Sequence, residues 1–223
     1  SAEQSSFSDL ETKISSLEKQ ISELENSLEK QTKVLTKNRQ QSIPLFKEKI
    51  ESLLQQLGLE KAKVEVELTS TKDFVQFGKE KIQLLFQANS GFPLKPIQTA
   101  ISGGERSRVM LAVKKIMAEN SELPTLILDE IDTGVSGRIA DEIGKVMQEM
   151  AENMQLIVIT HLAQVAAKGN NNYKVKKSDI EGKTQTQIVS LNQEEKLTEI
   201  AQLLSGSKIT DAAILQAKEL MDI

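Results

Sequence analysis

Ser102-Gly103-Gly104-Glu105, then Leu126-Ile127-Leu128-Asp129-Glu130, then His161 behind Leu156-Ile157-Val158-Ile159-Thr160, follow one another in the order and spacing of one half of a site that hydrolyses a nucleoside triphosphate. The serine-glycine-glycine turn lies between a loop and a helix, so unbonded backbone N–H groups and the positive end of a helix dipole face outward, where an anion could bind. The same residues can be read as a capping box, with Ser102 at the N-cap and Glu105 three residues on. That reading leaves the two glycines without a purpose, since each costs about 1 kcal/mol relative to alanine inside a helix and less at its end. Close approach of a phosphate would supply one.

Asp129 and Glu130 close a buried strand, at the edge where open α/β sheets bind ligands. Successive strand residues point to opposite faces, so the two carboxylates need not share a task. Asp129 could hold the hydration shell of Mg²⁺ and Glu130 could polarise an attacking water; a strand running into a solvated acidic turn would look the same. His161, the only histidine, also ends a strand, where a neutral imidazole or its cation could hydrogen-bond a terminal phosphate. Each motif alone has a plain structural explanation. Together they fall at expected helix starts and strand carboxyl ends along one edge of one sheet.

The complementary half is missing. No segment reads G-x-x-x-x-G-K-[ST], the loop whose amides cradle phosphates. Gly182-Lys183-Thr184 resembles its tail, but Lys177 stands where the first glycine is required, and the segment falls between two strands, as a hairpin turn does. The expectation is one lobe of an ATPase that cannot work alone.

The elements that must position these residues follow from hydrophobic period. Val64 to Leu68 and Ile82 to Phe86 alternate as strands, and Asn89 to Pro96 is a loop by its Gly and Pro content. Arg106 to Ala118 reads as a helix. Thr125 to Leu128 and Leu156 to Ile159 are continuous apolar runs, expected of strands covered on both faces in a mainly parallel sheet. Ser136 to Met150, with Ile139, Ile143, Val146, Met147 and Met150 on one side, joins them into a βαβ unit. Tyr173 to Lys177 and Thr184 to Ser190 suggest a hairpin, followed by helices near Glu194 to Leu204 and Thr210 to Met221. Lys174, Lys176 and Lys177 could touch a DNA backbone or simply form a solvated edge.

Ahead of this body, Phe7, Leu10, Ile14, Leu17, Ile21, Leu24 and Leu28 repeat at steps of three and four, and Leu35 continues the line. This is a heptad seam, with Glu11, Glu18 and Glu25 along its e edge. An amphipathic helix packed on its own domain would bury a wider stripe. In an antiparallel pair e faces e, so two copies would set Glu against Glu, and a different, more basic helix fits better. Pro44 is expected to end or bend the helix near Ser42 to Ile43, with a second stripe (Phe46, Ile50, Leu53, Leu54, Leu57) running to a C-cap at Gly58. The expected division is an arm over residues 1–57 and a body over 58–223.

Composition sets the outer bounds. At 39% apolar, 223 residues can build a sizeable core. A net charge of −4 supplies no overall basic field, so contact with nucleic acid would depend on local lysines. The absence of cysteine fits a reducing compartment, and with no run of about 20 apolar residues a soluble, cytoplasmic protein is expected.

From Ser102 onward the chain resembles the C-terminal part of the RecN family, bacterial DNA double-strand-break repair proteins related to the SMC and ABC-type ATPases. The likeness rests on Ser102-Gly103-Gly104-Glu105-Arg106-Ser107-Arg108, on Asp129 to Arg138, and on Thr160-His161-Leu162-Ala163-Gln164-Val165-Ala166-Ala167. SMC proteins usually carry a leucine-aspartate pair where this chain has Val135-Ser136. The lysine-rich hairpin and final helices extend the resemblance over nearly all of residues 58–223, and the arm suits a returning coiled-coil helix.

The resemblance implies an α/β fold, the C-terminal lobe of an ATPase head. Ser102, Gly103 and Gly104, with Glu105, would be the signature closing over ATP held by a second subunit. Asp129 and Glu130 would be the Walker B acids, the first serving Mg²⁺ through water and the second catalysis. Asp132 would lie in the D-loop and His161 would be the switch histidine. It implies as partners the N-terminal head lobe, the opposite coiled-coil helix, a second head and DNA, in the bacterial cytoplasm at the nucleoid and with no membrane. The corresponding lobe of an SMC-type chromosome protein and a non-catalytic coiled-coil interaction module are the alternatives.

Overall fold

The computed structural model describes residues 2–101, 103–121, 123–129, 131–180, 183–206 and 208–223. Ser102, Glu130, Gly182 and the side chain of Phe7 lie outside the described residues. The chain divides into two compact units, one of residues 1–48 with 65–85, the other of 49–64 with 86–223.

In the first unit, helix α1 (Ala2–Gln56) supplies most of the chain, and it does not end at Pro44. Proline removes one backbone donor and typically costs about 3 kcal/mol inside a helix. Here the helix is tied to the strands on both sides of that position. Before it, Arg39 donates to Glu80 at 3.0 Å and to the Phe77 carbonyl at 2.7 Å; after it, Lys47 pairs with Glu65. Lys79 reaches Glu29 at 3.0 Å and lies over the Phe74 ring. Strands β1 (Lys63–Val75) and β2 (Gly78–Gln87) are neighbours in a sheet of order β1-β2-β3, β3 being the short Lys95–Pro96. Leu10, Ile14, Leu17, Ile21, Leu24 and Leu28 are all exposed, so the described residues leave this part of the heptad seam open.

The second unit begins with the last turns of α1. Ile50, Leu53, Leu54 and Leu57 are buried with Leu59, Val64 and Phe86. The helix α2 (Ile97–Ala100) leads to α3 (Gly103–Glu119), β4 (Thr125–Asp129), α4 (Gly137–Ala151) and β5 (Gln155–Ile159). β4 and β5 pair in parallel from Thr125↔Gln155 to Asp129↔Ile159, completing the expected βαβ unit. α4 buries Ala140, Ile143, Val146, Met147 and Met150 at helical spacing. Its Gly144 lets the next helix, α5 (Ala163–Lys168), come close, for a Cβ there would stand 3.1 Å from the Gln164 carbonyl. Buried Lys115 of α3 pairs with Glu149 of α4.

One expectation fails on this sheet. Ile127, Ile157 and Ile159 are 59%, 44% and 51% exposed, while Leu128 is buried, so β4–β5 is covered on one face only. The apolar runs look like those of a sheet packed on both sides, but the described residues cover one side.

Strands β6 (Asn172–Ile180) and β7 (Lys183–Leu191) form the expected antiparallel hairpin, from Asn172↔Leu191 to Ile180↔Lys183. That pairing puts Lys183 and Thr184 on the second strand of the hairpin. Lys174 reaches Glu199 and Gln202 of α6 (Gln193–Ser205), which gives it a structural task. α6 starts with a capping box, Asn192 and Glu195 bonding each other's backbone N–H at 2.9 and 2.8 Å. α5, α6 and α7 (Asp211–Met221) share a small core of Ala163, Ala167, Ile200, Ala201, Ala213 and Ala217. Lys196 donates to the Gly169 carbonyl at 2.6 Å, and burial, helped by the charge of Lys168, holds its pKa below the ordinary 10.5. Among the described residues no helix is long and apolar enough to cross a membrane.

Candidate functional site

Backbone close packing brings the start of α3 to the turn behind β4. A Cβ on Gly104 would meet the Thr133 carbonyl at 3.5 Å and the Gly134 carbonyl at 3.6 Å; one on Gly134 would meet Gly104 Cα at 3.6 Å. Gly134 has φ +77°, a left-handed conformation that glycine adopts freely, and Gly137, at φ +57°, repeats this where α4 begins. Around Gly103, by contrast, a Cβ would meet nothing within 4 Å. The two glycines at the helix start therefore differ: Gly104 has a backbone neighbour, and Gly103 has none among the described residues.

α3 is held in place by its arginines. Arg108 donates to the Gly104 carbonyl and to the Leu57 carbonyl, both at 3.2 Å, tying the first turn of α3 to the end of α1. Arg106 reaches the Gln98 carbonyl at 3.4 Å. Glu105 lies in the first turn, where a negative charge suits the helix dipole.

The parallel register places Asp129 beside Ile159, so Asp129 and His161 stand at the same end of neighbouring strands. Asp129 is exposed. Asp132 is not: its side chain is 1% exposed, against 65% for His161, with Asp132 Oδ1 and His161 Nδ1 4.0 Å apart. The Thr160 hydroxyl donates to Asp132 Oδ2 and accepts from the Leu162 backbone N–H at 3.0 Å. Among the described residues, no group hydrogen-bonds Asp132 Oδ1.

The turn carrying Asp132 thus touches the glycine start of α3 on one side and the Thr160–Leu162 stretch on the other. That turn, over residues 131–134, has Gly104 on one side and His161 on the other, with Asp129 at the adjoining strand end and Gly103 next to Gly104 in α3. Ser102 and Glu130 lie outside the described residues. Sequence reading gave Thr160 no role of its own. Its signal was a hydroxyl residue directly before a strand-end histidine, which becomes informative only once Asp132 is beside it. Arg108 was likewise read only as part of a motif. No group of three or more His, Cys, Asp or Glu side chains that could hold a metal ion converges among the described residues.

No protein-family model matches the chain. It is 36% identical over 190 residues to the DNA repair protein RecN of Haemophilus influenzae, covering 85% of the chain and 34% of that protein. With RecN of Vibrio cholerae it shares 39% identity over 173 residues, 77% of the chain and 31% of the relative. With RecN of Halalkalibacterium halodurans the figures are 36% over 200 residues, 88% and 35%. The chain therefore spans about a third of the length of the curated relatives it matches. Among solved structures, the Smc head domain with a coiled coil and joint from Pyrococcus yayanosii superposes at TM-score 0.60 and 20% identity, over 76% of the chain and 30% of that structure. An Smc head domain with an extended coiled coil from Pyrococcus furiosus gives 0.54 at 19%, over 72% and 38%. Those likenesses show the fold: an α/β lobe of the SMC-head type with a long N-terminal helix. With this fold, and with three RecN proteins each more than a third identical over 77–88% of the chain, the chain belongs to the RecN family.

Proposed function

We propose that residues 58–223 are the C-terminal lobe of an ATPase head and residues 1–57 its returning coiled-coil arm, acting in bacterial DNA double-strand-break repair. The supporting observation is that one turn, over residues 131–134, touches Gly104 at the start of α3 and through Asp132 approaches His161, at the strand ends where Asp129 lies and next to an apolar sheet face open at Ile127, Ile157 and Ile159. A lobe that supplies half a site and half a core needs the other half, here an N-terminal head lobe carrying the phosphate loop.

In this reading Ser102, Gly103 and Gly104, with Glu105 in the same turn, close over the phosphates of ATP held by a second head. The space left open at Gly103 by the described residues fits a ligand that approaches the backbone, and the end of a 17-residue helix favours its charge. Exposed Asp129 fits a water-mediated ligand of Mg²⁺, which when bound neutralises phosphate charge. Glu130 orients and deprotonates the attacking water. His161 offers an imidazole nitrogen to the terminal phosphate, and Asp132 lies in the turn that carries these groups together.

Symmetric pairing of two heads would complete two such sites. The exposed leucine and isoleucine seam of α1 would take the opposite helix of the same protein. DNA is the substrate on which the cycle acts, in the cytoplasm at the nucleoid.

The test is hydrolysis with and without the other lobe. The 223-residue chain alone should turn over no ATP, joining it to the N-terminal lobe should give hydrolysis, and Glu130→Gln should then abolish turnover while sparing nucleotide binding. Turnover by the chain alone that is lost in Glu130→Gln would refute the assignment.

A further inference from the structure

We propose that Asp132 is the positioning residue of His161, holding a proton on Nδ1 so that Nε2 is the nitrogen presented to the ligand. The inference rests on reading His161 as the group that faces phosphate.

A carboxylate can only accept hydrogen bonds, and when buried it needs donors for both oxygens. Asp132 is buried, and Oδ2 has its donor in the Thr160 hydroxyl. Oδ1 has none among the described residues, and His161 Nδ1 lies 4.0 Å from it. A hydrogen bond needs about 2.8 Å, a swing of roughly 1 Å for an exposed imidazole turning on its side-chain torsions.

The backbone is already set for that swing. Thr160 spends its one proton on Asp132 and takes the Leu162 N–H, so of the two chain neighbours of His161 one is bonded to the carboxylate and the other to the hydroxyl that bonds it. Turning the ring brings Nδ1 to Oδ1 and leaves Nε2 on the open side. A partner on one ring nitrogen decides which nitrogen carries the proton and where the other points. For the neutral ring, an Nδ1–H···Oδ1 bond makes Nε2 an acceptor for a phosphate hydroxyl or a water. For the cation the same bond leaves Nε2–H to donate to a phosphate oxygen.

His161 is the sole histidine, so its ring can be read without assignment. In the ¹⁵N-labelled 223-residue chain at a pH where the ring is neutral, long-range ¹H–¹⁵N correlations should show mainly the Nδ1–H tautomer. Asp132→Ala should shift the ratio of the two tautomers about tenfold toward Nε2–H, the size expected on losing a charge-assisted bond. Mainly Nε2–H in the unaltered chain, or a ratio that Asp132→Ala leaves unchanged, overturns the proposal; the first result decides it even if the variant does not fold.

This readout involves no nucleotide, so it stands apart from the ATPase reading. In the two-lobe protein, His161→Ala and Asp132→Ala should each lower kcat with little change in KM, and the double variant should be no slower than His161→Ala. Multiplying losses, in a protein whose turnover is still abolished by Glu130→Gln, would sink the positioning role and leave the assignment of the head intact.

Discussion

The first and last stretches of α1 carry the same kind of apolar spacing and meet opposite fates. Leu10 to Leu28 show about half their surface to solvent, whereas Ile50, Leu53, Leu54 and Leu57 are buried. The contrast teaches that an apolar stripe says something will cover it and does not say what. In the last turns the cover is the chain's own body; in the first it has to come from outside the described residues. The two faces of β4–β5 repeat the lesson, Leu128 inward and Ile127, Ile157 and Ile159 outward.

The widest gap should come from truncating one residue in each stretch. Leu54→Ala should cost roughly 2–5 kcal/mol in urea unfolding, as buried leucines do. Ile21→Ala should stay within about 0.5 kcal/mol in the chain alone. Equal losses would mean that the seam is covered by this chain and would remove the contrast.

Between the two stretches, Arg39 marks where the helix becomes anchored. Arg39→Met leaves the 6% exposed Glu80 carboxylate without its cation. The expected loss is about 2 kcal/mol, below the ~3–5 kcal/mol of a fully buried pair because the site reaches solvent. A shift in the unfolding midpoint no larger than that of Ile21→Ala would place the anchoring elsewhere.

On the sheet, Ile157→Thr should alter the stability of the chain by less than about 0.5 kcal/mol. It should nevertheless reduce capture of a separately expressed N-terminal head lobe in a pull-down. If stability falls sharply, the face is already covered; if capture is untouched, the lobe docks by another surface.

The smallest effect is a pH dependence in the packed helices. Lys196 loses its proton in the folded protein at a lower pH than in the unfolded chain, chiefly through burial. The penalty for its charge is therefore present in full at neutral pH, and stability rises as pH climbs through the folded value toward 10.5. Thermal melts of wild type against Lys196→Met should converge in that range, the variant having lost the rise.

Much of the fold was legible because its signals are local. The three-and-four spacing of α1 and the stripe of α4 correspond to a helix face, and the apolar runs at Thr125 and Leu156 to paired strands. Whether Pro44 would end the helix was not legible, because the bonds of Arg39 and Lys47 that hold the helix on either side join residues far apart in sequence. The open sheet face was misread for a related reason: a strand carries its own side chains and no record of whose side chains will meet them. At the site, the glycine turn, Asp129 and His161 could be found by spacing. The bond from Thr160 to Asp132 could not, since the partners are 28 residues apart and neither type is distinctive at its position.

Gly144 lies two turns into α4, where the lack of a side chain sets how close the next helix can come. With no side chain there, α5 can rest against the α4 backbone, and a methyl group would press on the Gln164 carbonyl at 3.1 Å. α5 begins at Ala163, two residues after His161, so this seam seats the helix into which the histidine's strand end leads. The smallest amino acid in α4 acts as a shim beneath the helix that follows His161.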